Sequence, residues 1–259
     1  MNVGSLRVGS MAVLLGLPWI LGLPWGALAC SVHLEVVPET VGIGAFFQGR
    51  NVNVSATVPN GAAAVVEILG SPVAERLMHK GRWGPLWVNR GEVEVSDAPS
   101  LYLAASTEPA LLHNSSDFRA WGYGALSERI QFPGLVSGEK RGWILREFLK
   151  LKEAEGLYGI FPGKARASDL GGDCPKVTTS FFLRSNVKPG RYEVRLSLIE
   201  NGELKRQTST FMEVRLVGLP ALLRSLAYNH PLLYGILAVV LAMMAGFLIG
   251  RVFSGRGGH

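Results

Sequence analysis

The chain has 259 residues, 48% of them hydrophobic, and a formal net charge of +6 from 26 basic and 20 acidic residues. Arg7, Arg251 and Arg256 lie at the two ends, so the part between them carries 23 basic against 20 acidic residues, a net of +3. Those charges are interspersed, which excludes a basic nucleic-acid stripe and reads as a solvated surface.

The N-terminus reads as a signal peptide over residues 1–29: Arg7 as a thin positive region, Met11 to Leu23 as the apolar stretch, Ala27-Leu28-Ala29 as a small-x-small cleavage site. Pro18 and Pro24 break the apolar stretch and argue against a spanning helix there. Cleavage would leave Cys30 first in the mature chain, an exported domain of about 200 residues and ample for one core. Cys30 and Cys174 are the two cysteines. They read as one disulfide in an oxidising compartment, as a lipidated Cys30 after a loose lipobox, or as two free thiols.

The first part of the domain is strand-rich. Val32 to Val37 is one strand, and Asn51 to Val58 alternates without error, placing Val52, Val54, Ala56 and Val58 on one face. Pro59-Asn60-Gly61 turns the chain into Ala64 to Leu69; Leu86 to Asn89, Glu92 to Val95 and Leu101 to Ala105 follow. Within GRWGPLWVN, Arg82, Trp83, Trp87 and Asn89 are residue types that serve as protein contacts. The same segment also reads as a hairpin with one buried and one half-buried Trp.

A helical insertion is expected at about 110–160. Ser116 caps a helix from Asp117 towards Ile130, with Phe118, Trp121 and Ala125 on one side. The firmer helix runs from Glu139 to Glu155, with Ile144, Leu145, Phe148, Leu149 and Leu151 as a core stripe and Gly156 at C′. Strands then return: Tyr192, Val194, Leu196 and Leu198 alternate with Arg191, Glu193, Arg195 and Ser197. Asn201-Gly202, the preferred type I′ pair, leads back through Leu204 to Leu216. The domain, 30–230, is therefore expected to be mainly β, an Ig-like β-sandwich with a helical insertion.

Leu232 to Gly250 is a run of 19 residues without a charge, matching the ~30 Å hydrocarbon core of a bilayer. A membrane helix is expected at 231–253 with a short tail at 254–259. Ala238, Ala242, Gly246 and Gly250 recur every four residues, a ridge for close approach of another helix. Arg251 and Arg256 place the tail in the cytoplasm by the positive-inside rule, so the domain is expected in the periplasm, single-pass in the inner membrane.

Motifs of catalysis are not seen. The five histidines (His33, His79, His113, His230 and His259) lack metal-ligand spacing. Gly156 to Lys164 is followed by Ala165 and fails as a P-loop; Gly42-Ile43-Gly44 precedes a strand, not a helix. No Gly-x-Ser-x-Gly elbow occurs. No catalytic residue, metal or cofactor is assigned, and the expectation is a protein that is not an enzyme.

Four stretches in order resemble the bacterial transmembrane-protein family labelled Alph_Pro_TM. They are Leu86-Trp87-Val88-Asn89 with Leu101 to Thr107, Leu149 to Gly159, the Lys188 to Thr208 hairpin, and His230-Pro231-Leu232-Leu233-Tyr234-Gly235. The resemblance covers roughly residues 33 to 253, while the GGDCP context of Cys174 departs from the family's usual pattern. It implies an exported domain with one C-terminal span and no established activity. Members are often encoded beside sulfite-exporter (TauE/SafE) permeases, which implies an accessory of a multispanning permease. The alternative is a self-associating envelope module that binds a periplasmic ligand or protein.

Overall fold

The computed structural model describes residues 30–112, 121–134, 138–168 and 174–254. The expected signal peptide, the Ser116 cap with its first helical turn, His113 and the tail from residue 255 lie outside them. Among the described residues, twelve strands and four α-helices run in this order: β1 (His33–Val37), β2 (Thr40–Ile43), β3 (Arg50–Thr57), β4 (Ala63–Gly70), β5 (Pro72–Trp83), β6 (Leu86–Pro99) and β7 (Tyr102–Ser106). A 3-10 turn (Pro109–Leu112), α1 (Gly122–Arg129) and α2 (Gly138–Glu155) follow. Then come β8 (Tyr158–Phe161), β9 (Arg166–Ser168), β10 (Lys176–Leu183), β11 (Gly190–Glu200), β12 (Glu203–Leu216), α3 (Leu219–Asn229) and α4 (Pro231–Ser254).

The chain folds into a mainly β sandwich. One sheet has the order β1-β3-β10-β9, the other β2-β12-β11-β4-β7-β8, and β5-β6 forms a separate two-stranded ribbon. The alternating strands face the gap between the sheets: Val52, Val54, Ala56 and Val58 are at most 2% exposed. They share one core with Val177 and Phe181 of the same sheet and with Val194, Leu196, Met212 and Val214 of the other. Burying such side chains contributes roughly 1.5–3 kcal/mol each, which is what orders the strands. The β11–β12 hairpin turns through Asn201 at φ 53° and Gly202 at φ 80°, the two positive values a type I′ turn needs.

β4 and β7 do not alternate; every residue of β7, and all but the first of β4, is buried. Val66 and Ile68 face the sandwich interior opposite Leu196 and Val194, while Val65, Glu67 and Leu69 point to the outer face. Helices cover that outer face. Phe148 of α2 meets the Tyr158 ring edge-on at 6.0 Å, and Tyr158 meets Tyr102 at 6.3 Å. The helical segment between β7 and β8 thus forms a third layer, which explains the doubly apolar strands.

α2 ends where its sequence says it should. Gly156 has φ +69°, its N–H donates to the Glu153 carbonyl (2.8 Å), and Leu157 N–H donates to Lys152 (3.0 Å), a Schellman close. Two expectations need correction. Leu151, read as core, is 43% exposed, whereas Lys152 beside it is buried at 6%. The strands read at Leu86–Asn89 and Glu92–Val95 are one long strand, β6, paired with β5, which lacks the alternation that marks a strand.

Candidate functional site

The β5–β6 ribbon is the part of the domain that stands off the sandwich. At its tip, Trp83 pairs with Leu86 across Gly84-Pro85, with Gly84 at φ +60°. Arg82 Nε donates to the Gly84 carbonyl at 3.1 Å and braces the turn. Trp83 is 70% exposed and Leu86 61%, so Trp83 is neither the buried nor the half-buried Trp of the hairpin reading. Arg82 and Asn89 are also exposed. Trp87 stands in β6 opposite Arg82. An exposed Trp–Leu pair at the end of a ribbon is apolar surface of the type that other proteins cover.

Nearer its base the ribbon lies over α2. Leu77, Met78 and Val93 face Trp143, Ile144, Phe148 and Leu151 across an open groove of about 430 Å³, with Arg76 and Glu147 at its rim. The two elements are held at a fixed spacing by an ion cluster. Lys152 Nζ reaches Glu75 at 2.6 Å and Glu155 at 3.3 Å, and Lys188 reaches Glu75 at 3.5 Å. Burial opposes the Glu75 charge, but the hydrogen bond and charge of Lys152, with Lys188 behind them, outweigh it and hold the carboxyl below its ordinary value. A register shift in the ribbon between Val73 and Glu75 lets Ser96 turn aside and bridge Gln131 after α1, through bonds of 2.9 and 3.0 Å.

A second lock lies under α1. The buried Tyr102 hydroxyl donates to Glu67 Oε1 at 2.6 Å and accepts from the Gly122 N–H at 2.9 Å. Burial raises the Glu67 carboxyl above its ordinary value, though the Tyr102 bond and the Arg195 charge oppose this. The same burial, with Glu67 close by, drives the Tyr102 hydroxyl well upward. Tyr123 is bonded to Glu153 and likewise pushed up, chiefly by burial. These groups tie helices to sheet.

The cleft beside them, about 560 Å³, is lined by Arg129, Arg191 and Arg195 and by Asp97, Glu128 and Glu193. Arg195 is paired to Glu193 at 2.9 Å and Arg191 stacks 3.7 Å above the Phe211 ring. Among the described residues no three or more of His, Cys, Asp and Glu gather as metal ligands.

Cys30 and Cys174 are joined as a disulfide, their Cα atoms 5.9 Å apart across a separation of 144 residues. The sheet order accounts for the meeting: β1 and β10 flank β3 on either side, and both His33 and Lys176 pair with Thr57. Each cysteine lies just before one of those strands, at the same end of the sheet.

α4 is the other candidate surface. Pro231–Arg251 has a mean hydropathy of 2.6 and none of it is buried by the rest of the chain. At about 1.5 Å per residue its length suits a bilayer core. Ala238, Ala242, Gly246 and Gly250 are all exposed along it. A Cβ added to Gly246 or Gly250 would meet nothing among the described residues. Sequence reading missed α3 altogether, although its leucine spacing of three and four was the available signal.

No curated protein matches the chain. The family model described as "Putative transmembrane protein (Alph_Pro_TM)" matches residues 31–255, which takes in the whole sandwich, α3 and the apolar helix. With a match over most of its length and, among the described residues, one C-terminal helix fit to span a bilayer, the chain belongs to this transmembrane family.

Proposed function

We propose that this is a non-enzymatic, single-pass accessory protein of a multispanning permease of the sulfite-exporter type, its domain periplasmic and its tail cytoplasmic. The observation that carries the reading is the bare small-residue ridge of α4. Glycine inside a helix costs about 0.5–1 kcal/mol relative to alanine, and none of the described residues packs against Gly246 or Gly250 to offset that. A helix of another membrane protein packed along Ala238, Ala242, Gly246 and Gly250 would supply the missing contacts, since small residues let backbones approach closely. The sandwich would then sit over the permease mouth, with the rigid β5–β6 ribbon and its Trp83–Leu86 tip reaching towards it.

The test is a mild-detergent purification of the tagged full-length protein from its own membranes, with Gly246→Leu alongside. Recovery of a multispanning permease with the wild type and its loss with the variant supports the reading. Recovery of only the protein itself sinks it, as does normal anion export in a strain lacking the gene.

One observation favours a second reading, a self-associating binding module. Trp83, Leu86 and Met78 are each more than half exposed on a ribbon clamped to α2, a surface suited to grip a partner without the membrane helix. Trp83→Ala would abolish that association and leave one driven by the ridge intact.

A further inference from the structure

α3 is a helix whose apolar side is left largely uncovered by the described residues. Its leucines fall at 219, 222, 223 and 226, the three- and four-residue spacing of one helical face. Leu219 is 57% exposed, Leu222 56% and Leu223 41%, Leu226 is half-buried, and no residue of the helix is fully buried. The opposite side looks back at the domain: Ala221, Arg224, Ser225 and Tyr228 line a cleft of about 420 Å³ with Leu216 of β12. Arg224 also joins Arg191 and Arg215 in the neighbouring cleft. The leucines therefore point away from the sandwich.

We propose that α3 lies in the plane of the membrane surface, its leucines sunk at the boundary between headgroups and acyl chains, as a strap that sets the domain's orientation on the bilayer. Three observations choose lipid as the occupant. First is continuity: only His230 separates Asn229, the last residue of α3, from Pro231, the first of the span. An 11-residue helix is about 16 Å long, so every leucine stays within that reach of the hydrocarbon boundary.

Second, the junction carries an interfacial aromatic: Tyr234, in the first turn of α4, is 41% exposed. Tyrosine favours this depth because its ring is apolar and its hydroxyl wet. Third, a helix this short is marginal alone in water and needs its apolar face covered. An amphipathic helix continuous with a span can cover such a face by lying in the bilayer interface. The helix also starts cleanly: Gly218 at φ 64° caps it, Pro220 stands in its first turn, and the Leu222 N–H closes on the Gly218 carbonyl at 3.0 Å. The strap holds whichever way the chain faces and whether or not a permease is bound.

The experiment uses the full-length oxidised protein in vesicles of phosphatidylethanolamine and phosphatidylglycerol. A small fluorophore is attached in turn through Leu222→Cys, Leu223→Cys and Ser225→Cys, with circular dichroism confirming that each variant keeps its fold. Lipid carrying a nitroxide near the top of the acyl chain is expected to quench the labels at 222 and 223 several-fold more than the label at 225. Aqueous iodide is expected to show the reverse order. Equal response at all three positions, meaning a free stalk in water, overturns the proposal. So does protection of 222 and 223 from both quenchers that grows with protein-to-lipid ratio, which would mark a second copy as the occupant.

Discussion

The strands of the sandwich and the C-terminal stem are both rich in Val, Leu and Ile, yet their side chains end in opposite situations. Val194 and Leu196 on β11 are fully buried, while Val239 on α4 is 58% exposed and Leu241 52%. On β11 the apolar residues occupy every second position, so one face meets the other sheet and the remaining positions can be polar. On α4 they run all around the helix, and no single contact within the chain could cover them. The sandwich is held by its own chain; the stem needs a second solvent. α3 lies between these extremes, with one face for each.

Several changes would break or sharpen this contrast. Phe181→Ala, in a side chain with 0% exposure, should cost about 3–5 kcal/mol of domain stability in denaturant titration, while membrane retention stays unchanged. Replacing Cys30 and Cys174 together by serine should cost about 2–5 kcal/mol, read as a lower unfolding temperature that reducing agent reproduces in the wild type. Leu241→Arg should do the opposite of the core change. Charge at the middle of the span disfavours insertion by about 2.5–3.5 kcal/mol, so alkaline extraction should release more protein while the domain melts as before.

A smaller effect concerns the clamp between ribbon and α2. Because Glu75 titrates below its ordinary value of 4.5 when folded, its ion pairs stabilise the fold above that pH. The stabilisation is lost as pH falls through the lowered value. Glu75→Gln should be less stable near neutral pH and should show a shallower loss over the acid range; an unchanged slope would mean the cluster contributes nothing. Trp83→Ala should change stability least, within about 0.5 kcal/mol, since the side chain is 70% exposed. If it instead destabilised the domain strongly, the tip would be part of the core and not of a contact surface.

Local period and backbone sterics made much of this fold readable. Val52 to Val58 alternates because only one face of β3 is buried. Asn201-Gly202 adopts the positive φ pair that few other residues tolerate, Gly156 closes α2 for the same reason, and an uninterrupted apolar helix must find lipid. These features depend on a few neighbouring residues, so the sequence by itself determined them. Tertiary structure decided what depends on distant partners. Only the order β1-β3-β10 brings Cys30 beside Cys174 at Thr57, choosing the disulfide over the lipidated Cys30 or free thiols that the sequence left open. Only the packing of α2 against the ribbon buries Lys152 and leaves Leu151 outside, because Glu75 lies far away in sequence. The exposure of Trp83 and the turning of the α3 leucines away from the sandwich have the same origin. Burial is a property of what lies opposite a side chain, and no local pattern states what that will be.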